Sequence, residues 1–173
     1  MFYPDLTPYS YANHGRDSFT DMTTGYRSVS FTAPYQRTNI GWLDAKEPWP
    51  AGSVPAAFAE KLQAVLAVQA VNECLGHHDC DLCPDDPPAD RQTWRRPGHL
   101  RACSGTGEIR VPAQPGGSAF AAPRLIGHYV LDHGYRPPQE FIDAVLAFDL
   151  DCPAEPGWAR FPWIPSDAEV SDG

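Results

Sequence analysis

The amino-acid sequence predicts a small α+β domain with two to three helices, a short antiparallel hairpin or sheet, and a treble-clef-like zinc site in long loops. Three observations lead to this prediction: helical periodicity in only three stretches, one alternating segment followed by a turn, and a close group of cysteines and histidines. The 173 residues are the usual length of one domain. We therefore expect one zinc-binding domain over residues 1–165 and a mobile acidic tail over residues 166–173.

The clearest helix follows Ser53, which is a suitable capping residue, and extends to about Gln69 with Phe58 and Leu62 on its apolar face. A second helix is predicted to end at His133-Gly134, because glycine commonly stops a helix. A third helix begins near Pro138. The helical part of the domain therefore lies mostly in the second half of the chain.

Strand signals are concentrated after Gly107. Residues 108–111 alternate polar and apolar side chains, residues 114–117 are turn-prone, and residues 118–122 can return as the partner strand of a hairpin. Residues 39–43 resemble a short buried strand, and residues 1–38 are predicted to be loop with short strands. Residues 72–104 are polar and rich in proline and aspartate, so an ordered loop of this length needs an anchor.

Charge and composition limit the partners that the protein can have. The net charge of −9 disfavours DNA and RNA, whose binding needs clustered Lys and Arg, and is compatible with a basic partner protein. No signal peptide and no apolar run of membrane-spanning length is recognisable. We therefore expect a cytoplasmic protein that binds neither nucleic acid nor membrane.

Residues 76–84 contain the strongest chemical signal, with His78, Cys80 and Cys83 close together. Two thiolates spaced as CxxC on a tight turn can reach one Zn²⁺ ion, and imidazole completes the ligand mixture that zinc prefers. A redox cysteine pair usually opens a helix, which the proline-rich segment after Cys83 makes improbable. Metal binding is therefore the favoured interpretation, with Cys103 as an alternative ligand in place of His78.

The order of CxxC turn, hairpin and helix is typical of treble-clef zinc sites, in which the helix supplies the remaining ligands. The predicted helix offers His128 within its length and His133 at its end. The position inside the helix favours His128, while His133 could coordinate instead and leave His128 to cap or pack.

Several phrases of the sequence together resemble an uncharacterised bacterial family, common in actinobacteria, that is known only as a domain of unknown function. The resemblance extends to about residue 147 and implies that His78, Cys80, Cys83, His128 and His133 form the site. It also marks four further residues, Asp5, Trp42, Glu108 and Arg110, as structural or catalytic. The matching phrases are Tyr3-Pro-Asp-Leu-Thr-Pro-Tyr-Ser-Tyr11, Asn39-Ile-Gly-Trp-Leu43, Gly76-His-His-Asp-Cys-Asp-Leu-Cys83, Gly107-Glu-Ile-Arg-Val111 and His128-Tyr-Val-Leu-Asp-His-Gly-Tyr-Arg-Pro-Pro-Gln-Glu-Phe141.

Two functions from different classes fit these observations. The favoured one is a small acidic protein-binding module, of an immunity-like or regulatory kind, with a structural zinc ion. The alternative is a zinc-dependent hydrolase with an open coordination position, in which Glu108 or Asp132 moves the proton. The chain has no HExxH helix, no deaminase motif pair and no nucleophile elbow, so the balance leans away from an enzyme.

Overall fold

The computed structural model describes residues 1–11, 16–21, 27–32, 36–73, 78–83, 104–114, 118–150 and 169–172. Three helices and nine strands lie within these ranges, which confirms the predicted α+β class. None of the helices in the described ranges has the length and apolar character needed to cross a membrane. The elements are β1 (Arg16–Asp21), β2 (Arg27–Thr32), β3 (Gln36–Asn39), α1 (Ala56–Val68), β4 (Gln69–Val71), β5 (His78–Asp79), β6 (Ser104–Gly105), β7 (Glu108–Gln114), β8 (Ser118–Pro123), α2 (Ile126–Asp132), α3 (Gln139–Ala147) and β9 (Glu169–Asp172).

Seven of the strands form one mixed sheet in the order β3-β8-β7-β4-β1-β2-β9. Strand β3 pairs in parallel with β8, and the other pairs of this sheet are antiparallel. The predicted hairpin is β7–β8. The sheet is larger than predicted, because strands from the first 38 residues extend it. Strands β5 and β6 form a separate ribbon in which His78 pairs with Gly105.

The apolar core lies between the helices and one face of the sheet. Ile109 and Val111 alternate along β7 on that face, and both side chains are fully buried. The ring of Phe141 on α3 contacts Phe58 on α1 and Phe120 on β8 edge to face, at centroid distances of 6.2 Å and 5.6 Å. Burying each such side chain stabilises the fold by about 1.5–3 kcal/mol. This core fixes α1 and α3 against the hairpin that precedes α2.

A buried ionic network lies on the opposite face of β7. The guanidinium of Arg110 donates to both carboxylate oxygens of Asp17, at 3.0 Å and 3.1 Å, and to Glu108 at 2.6 Å. Arg37 donates to Asp17 at 2.6 Å, and the Tyr9 hydroxyl donates to Glu108 at 2.8 Å. The two arginines thus balance the two carboxylates, which is how charges are tolerated inside a protein.

The Tyr9 ring and Asn72 complete this network, which consists of Tyr9, Asp17, Arg37, Asn72, Glu108 and Arg110. The Tyr9 ring contacts the guanidinium groups of Arg37 and Arg110 at 4.5 Å and 4.9 Å from its centroid. Asn72 donates to Asp17 at 2.9 Å from a left-handed backbone conformation with φ +49°. Burial lowers the pKa of Arg110, but the attraction of Glu108 and Asp17 outweighs it, so the pKa is raised and the side chain stays charged.

One predicted strand differs in the structure. The strand predicted for residues 39–43 ends at Asn39, because Gly41 has φ +69° and donates its N–H to Asp5 at 2.8 Å instead of to a strand. Near the C-terminal end, β9 pairs antiparallel with β2. Strand β2 therefore has a neighbour on each side, and β9 is the last strand of the sheet at this end.

Candidate metal centre

The CxxC segment forms a tight turn directly after β5. The N–H of Cys83 donates to the carbonyl oxygen of Cys80 at 3.1 Å, which closes the turn and brings both sulfur atoms to one side. Burial raises the pKa of the Cys80 thiol to about 12, against the effect of backbone hydrogen bonds from Leu82 and Cys83, which favour the thiolate. A bound dication would supply the charge that stabilises this buried sulfur as a thiolate.

Helix α2 supplies His128, and the residue directly after the helix is His133. Side chains five residues apart on a regular helix point about 140° away from each other, so His128 and His133 would diverge if the helix continued. The helix instead ends at Asp132, and the N–H groups of His133 and Tyr135 both donate to the carbonyl of Tyr129. Gly134, at φ +65°, permits this ending. The two imidazoles therefore converge, with ring centroids 4.7 Å apart.

The potential ligand atoms of four side chains lie close together. Nε2 of His128 lies 3.1 Å from Cys83 Sγ, and Nε2 of His133 lies 3.4 Å from Cys80 Sγ and 3.5 Å from Cys83 Sγ. The two Nε2 atoms are 3.0 Å apart, and all four ligand atoms lie within 4.8 Å of one another. A zinc tetrahedron with usual bond lengths has S–N edges of about 3.5 Å and an N–N edge of about 3.3 Å. Cys80, Cys83, His128 and His133 could therefore hold a metal ion.

Asp132 orients one of these ligands. Its carboxylate lies 2.8 Å from Nδ1 of His128, one helical turn away on α2, and the imidazole is buried. An Nδ1–H donated to the carboxylate leaves the lone pair of Nε2 facing the cluster. From sequence, the role expected of Asp132 was proton transfer in a hydrolase. Its position four residues after a histidine on a helix is the signal that could have identified this orienting role.

The cluster is built into the core on one side. Cys80 belongs to the main apolar core, and Leu82 and Cys83 pack against it. The buried ring of Tyr129 packs beside the cluster, 6.5 Å from the His133 ring centroid and 6.2 Å from that of His128. Cys80 and His128 are buried and Cys83 and His133 are half-buried, so partial exclusion of water would strengthen the attraction between a metal ion and the thiolates.

The remaining predicted site residues lie elsewhere. His78 is exposed on β5 and is not among the four clustered side chains, and Cys103 lies outside the described residues. His128 and His133 both lie in the cluster, although the sequence had been interpreted as favouring His128 over His133 as the ligand from the helix. Glu108 and Arg110 belong to the buried ionic network.

Two other residues marked by the resemblance make structural contacts. Asp5 accepts hydrogen bonds from the Gly41 N–H and the Tyr135 hydroxyl, each at 2.8 Å. Trp42 donates through its indole N–H to the Ala121 carbonyl at 3.0 Å. These bonds tie the N-terminal segment and the segment after β3 to β8 and to the end of α2, and they indicate structural rather than catalytic roles.

Comparison with known proteins gives a family but no activity. Neither the curated proteins nor the solved structures include a match to this chain. The model of a domain of unknown function, DUF7919, matches residues 1–146, which contain all four clustered side chains and the whole ionic network. The chain therefore belongs to the DUF7919 family.

Proposed function

We propose that this domain binds one structural Zn²⁺ ion through Cys80, Cys83, His128 and His133, and that it acts as a small binding module. The observation that carries the proposal is the closed set of four protein ligands within 4.8 Å. Structural zinc sites are usually four-coordinate with protein ligands only, whereas catalytic sites keep one position for water.

The donor chemistry supports zinc over other metals. Two thiolates and two imidazoles in a tetrahedral arrangement suit Zn²⁺, while Mg²⁺ and Ca²⁺ prefer oxygen ligands and Cu²⁺ prefers tetragonal geometry. The carboxylate of Asp132 behind His128 is the outer partner that metal-bound histidines commonly have.

The surface around the turn supports a basic protein as partner. Asp79 and Asp81 flank Cys80, and both are exposed. Together with the net charge of −9, they would attract a positively charged surface and accelerate its association. A zinc ion that fixes this turn would present the acidic side chains in one conformation, so less ordering would be required on binding.

The hydrolase alternative has less support from the contacts of the carboxylates that it needs. Glu108 is buried and bonded to Arg110 and Tyr9. Asp132 faces Nδ1 of His128, so its carboxylate is engaged on the side of the imidazole away from the ligand nitrogen. A general base must reach the proton that it removes, and both carboxylates have other partners.

Metal analysis combined with X-ray absorption spectroscopy tests the proposal. Protein purified without added zinc should contain one Zn²⁺ per chain, with two sulfur ligands at about 2.3 Å and two nitrogen ligands at about 2.0–2.1 Å. If the zinc ion instead has three protein ligands and one water oxygen, the site is not structural and the hydrolase alternative is favoured. Protein without tightly bound zinc would overturn the proposal entirely.

We expect zinc affinity to rise with pH. The pKa of the Cys80 thiol is raised to about 12, so at neutral pH the metal-free protein carries a proton there that zinc must displace. Each proton released on binding makes the affinity about tenfold higher per pH unit. Competition with a chromogenic chelator at pH 7 and pH 8 should therefore show at least this increase, and a pH-independent affinity would contradict thiolate ligation.

We expect Asp132→Ala to weaken zinc binding by about 10- to 100-fold, because His128 loses the carboxylate that orients it. Asp132→Asn should have a smaller effect, since its amide oxygen can still accept the Nδ1–H bond. Glu140→Ala, an exposed carboxylate on α3, is the matched control and should leave the affinity unchanged. An equal effect of the Asp132 and Glu140 substitutions would mean that only overall charge matters.

A further inference from the structure

A cavity of about 260 Å³ lies beside the metal cluster and is separated from it by the ring of Tyr129. Trp42, Tyr11 and Leu125 supply apolar walls, and Arg124 supplies a cationic group. An apolar cavity of about 150 Å³ can bind benzene, so this one has room for a single ring with a substituent. Its lining also includes the polar side chains of Asn72, His78 and Thr106, and a concave site with aromatic walls and a small number of polar groups is typical of small-molecule binding.

Arg124 is the polar group that suggests the ligand. Its guanidinium donates one hydrogen bond, to the carbonyl of Leu66 at 3.1 Å, and no carboxylate of the described residues lies within ion-pairing distance of it. Burial lowers the pKa of Arg124, and only the exposed Glu73 acts against this effect. A guanidinium has five N–H donors, so most of its hydrogen-bonding capacity is available to a ligand.

This arginine differs from the others that are buried. Arg110 and Arg37 both meet carboxylates at 2.6 to 3.1 Å, as buried cations in proteins generally do. A partly buried arginine at a cavity, with a backbone carbonyl as its hydrogen-bond partner, would gain strongly from an anion. Charge-assisted, bidentate bonds to a carboxylate are the geometry that guanidinium groups favour.

The aromatic walls define the other half of the ligand. The rings of Tyr11 and Trp42 lie against each other with centroids 4.8 Å apart, and Tyr11 is exposed at the rim. Flat rings pack well against such surfaces. We propose that this cavity binds a small aromatic carboxylate, with its carboxylate paired to Arg124 and its ring against the aromatic walls.

Benzoate is the probe for this site, and benzamide is its uncharged counterpart of equal shape. The metal-replete protein should bind benzoate at least tenfold more tightly than benzamide in a ligand-observed NMR titration, because a guanidinium forms stronger hydrogen bonds to a carboxylate than to a neutral amide. The methyl resonances of Leu43 and Leu125, which line the cavity, should shift on saturation with benzoate. No binding, or shifts elsewhere in the protein only, would overturn the inference.

Substitutions separate the two halves of the proposed ligand. Arg124→Met should abolish the preference for benzoate over benzamide, and Tyr11→Ala at the rim should weaken both probes about equally. Arg136→Met, which removes an exposed arginine outside the cavity lining, should change neither affinity. If acetate displaces benzoate at equal concentration, the aromatic part of the inference is wrong. Should Arg124→Met not fold, the benzoate and benzamide comparison and the methyl shifts in the unsubstituted protein still decide the matter.

Discussion

His133→Ala and Cys83→Ala are each expected to lower zinc affinity by ~10²- to 10³-fold. Both residues contribute a ligand atom to the cluster, with Sγ and Nε2 only 3.5 Å apart. Structural zinc binds with about 10–16 kcal/mol of free energy, so one of four ligands accounts for about 2.5–4 kcal/mol. Competition with a chromogenic chelator measures the loss, and His128→Ala should give a loss of the same size.

His78→Ala is the control for these substitutions, since His78 lies on the ribbon that leads into the same turn but is exposed and outside the cluster. It should retain one zinc ion per chain with unchanged affinity. If His78→Ala releases the metal while His133→Ala does not, the ligand set is the one centred on His78, Cys80, Cys83 and a single helix histidine. Circular dichroism of the metal-free variants separates loss of ligation from loss of fold.

Arg110→Met is expected to destabilise the folded protein by about 3–5 kcal/mol, because it leaves two buried carboxylates with too little positive charge. Asp17 loses two hydrogen bonds and Glu108 loses one, while Arg37 keeps its bond to Asp17. A change of this size is a large part of the stability of an ordinary domain. Urea denaturation followed by tryptophan fluorescence measures it.

Two further variants show whether charge or packing causes this effect. Adding Glu108→Gln to Arg110→Met neutralises the carboxylate that has lost its arginine and should restore part of the lost stability, which a double-mutant cycle quantifies. Lys46→Met removes an exposed cation and should change stability by less than about 0.5 kcal/mol. A purely additive double variant would indicate that the network acts through packing alone.

The two cysteines of the candidate centre could be predicted from sequence because they lie close together in the chain. Cys80 and Cys83 are two residues apart, and any tight turn brings their sulfur atoms together. The histidine half depends on how α2 ends, because His128 and His133 converge only where the helix stops at Gly134. Sequence identified that stop but not the direction of the His133 ring. His78 has the same local spacing but lies outside the cluster, which no spacing rule reveals.

The ionic network was not predicted, because its members come from segments far apart in the chain. Asp17, Arg37 and Arg110 meet only because the strand order places β1 and β3 on either side of the β7–β8 hairpin. Local patterns predict strands but not strand order. One signal was present: Glu108 and Arg110 alternate with the apolar Ile109 and Val111, so a charged face on a central strand required partners.

The segments that resemble the family contact one another in the fold. Tyr9 bonds to Glu108, and Asp5 bonds to both Gly41 and Tyr135. These side chains maintain the arrangement of the sheet, the N-terminal segment and α2. The sequence segments that resemble the family therefore contain two separate groups of side chains. One group forms the buried ionic network, and the other forms the candidate metal centre.

A metal ion held by the four clustered side chains would also act as a reversible cross-link. It would join Cys83 to His128, which are 45 residues apart in sequence, and a link of that span removes about 4 kcal/mol of chain entropy from the unfolded state. The entropy of such a closed loop grows only with the logarithm of its length, so ten inserted residues would change it by about 0.2 kcal/mol. Insertions or deletions between the CxxC turn and the β7–β8 hairpin should therefore change the stability very little, provided that the four clustered side chains are retained.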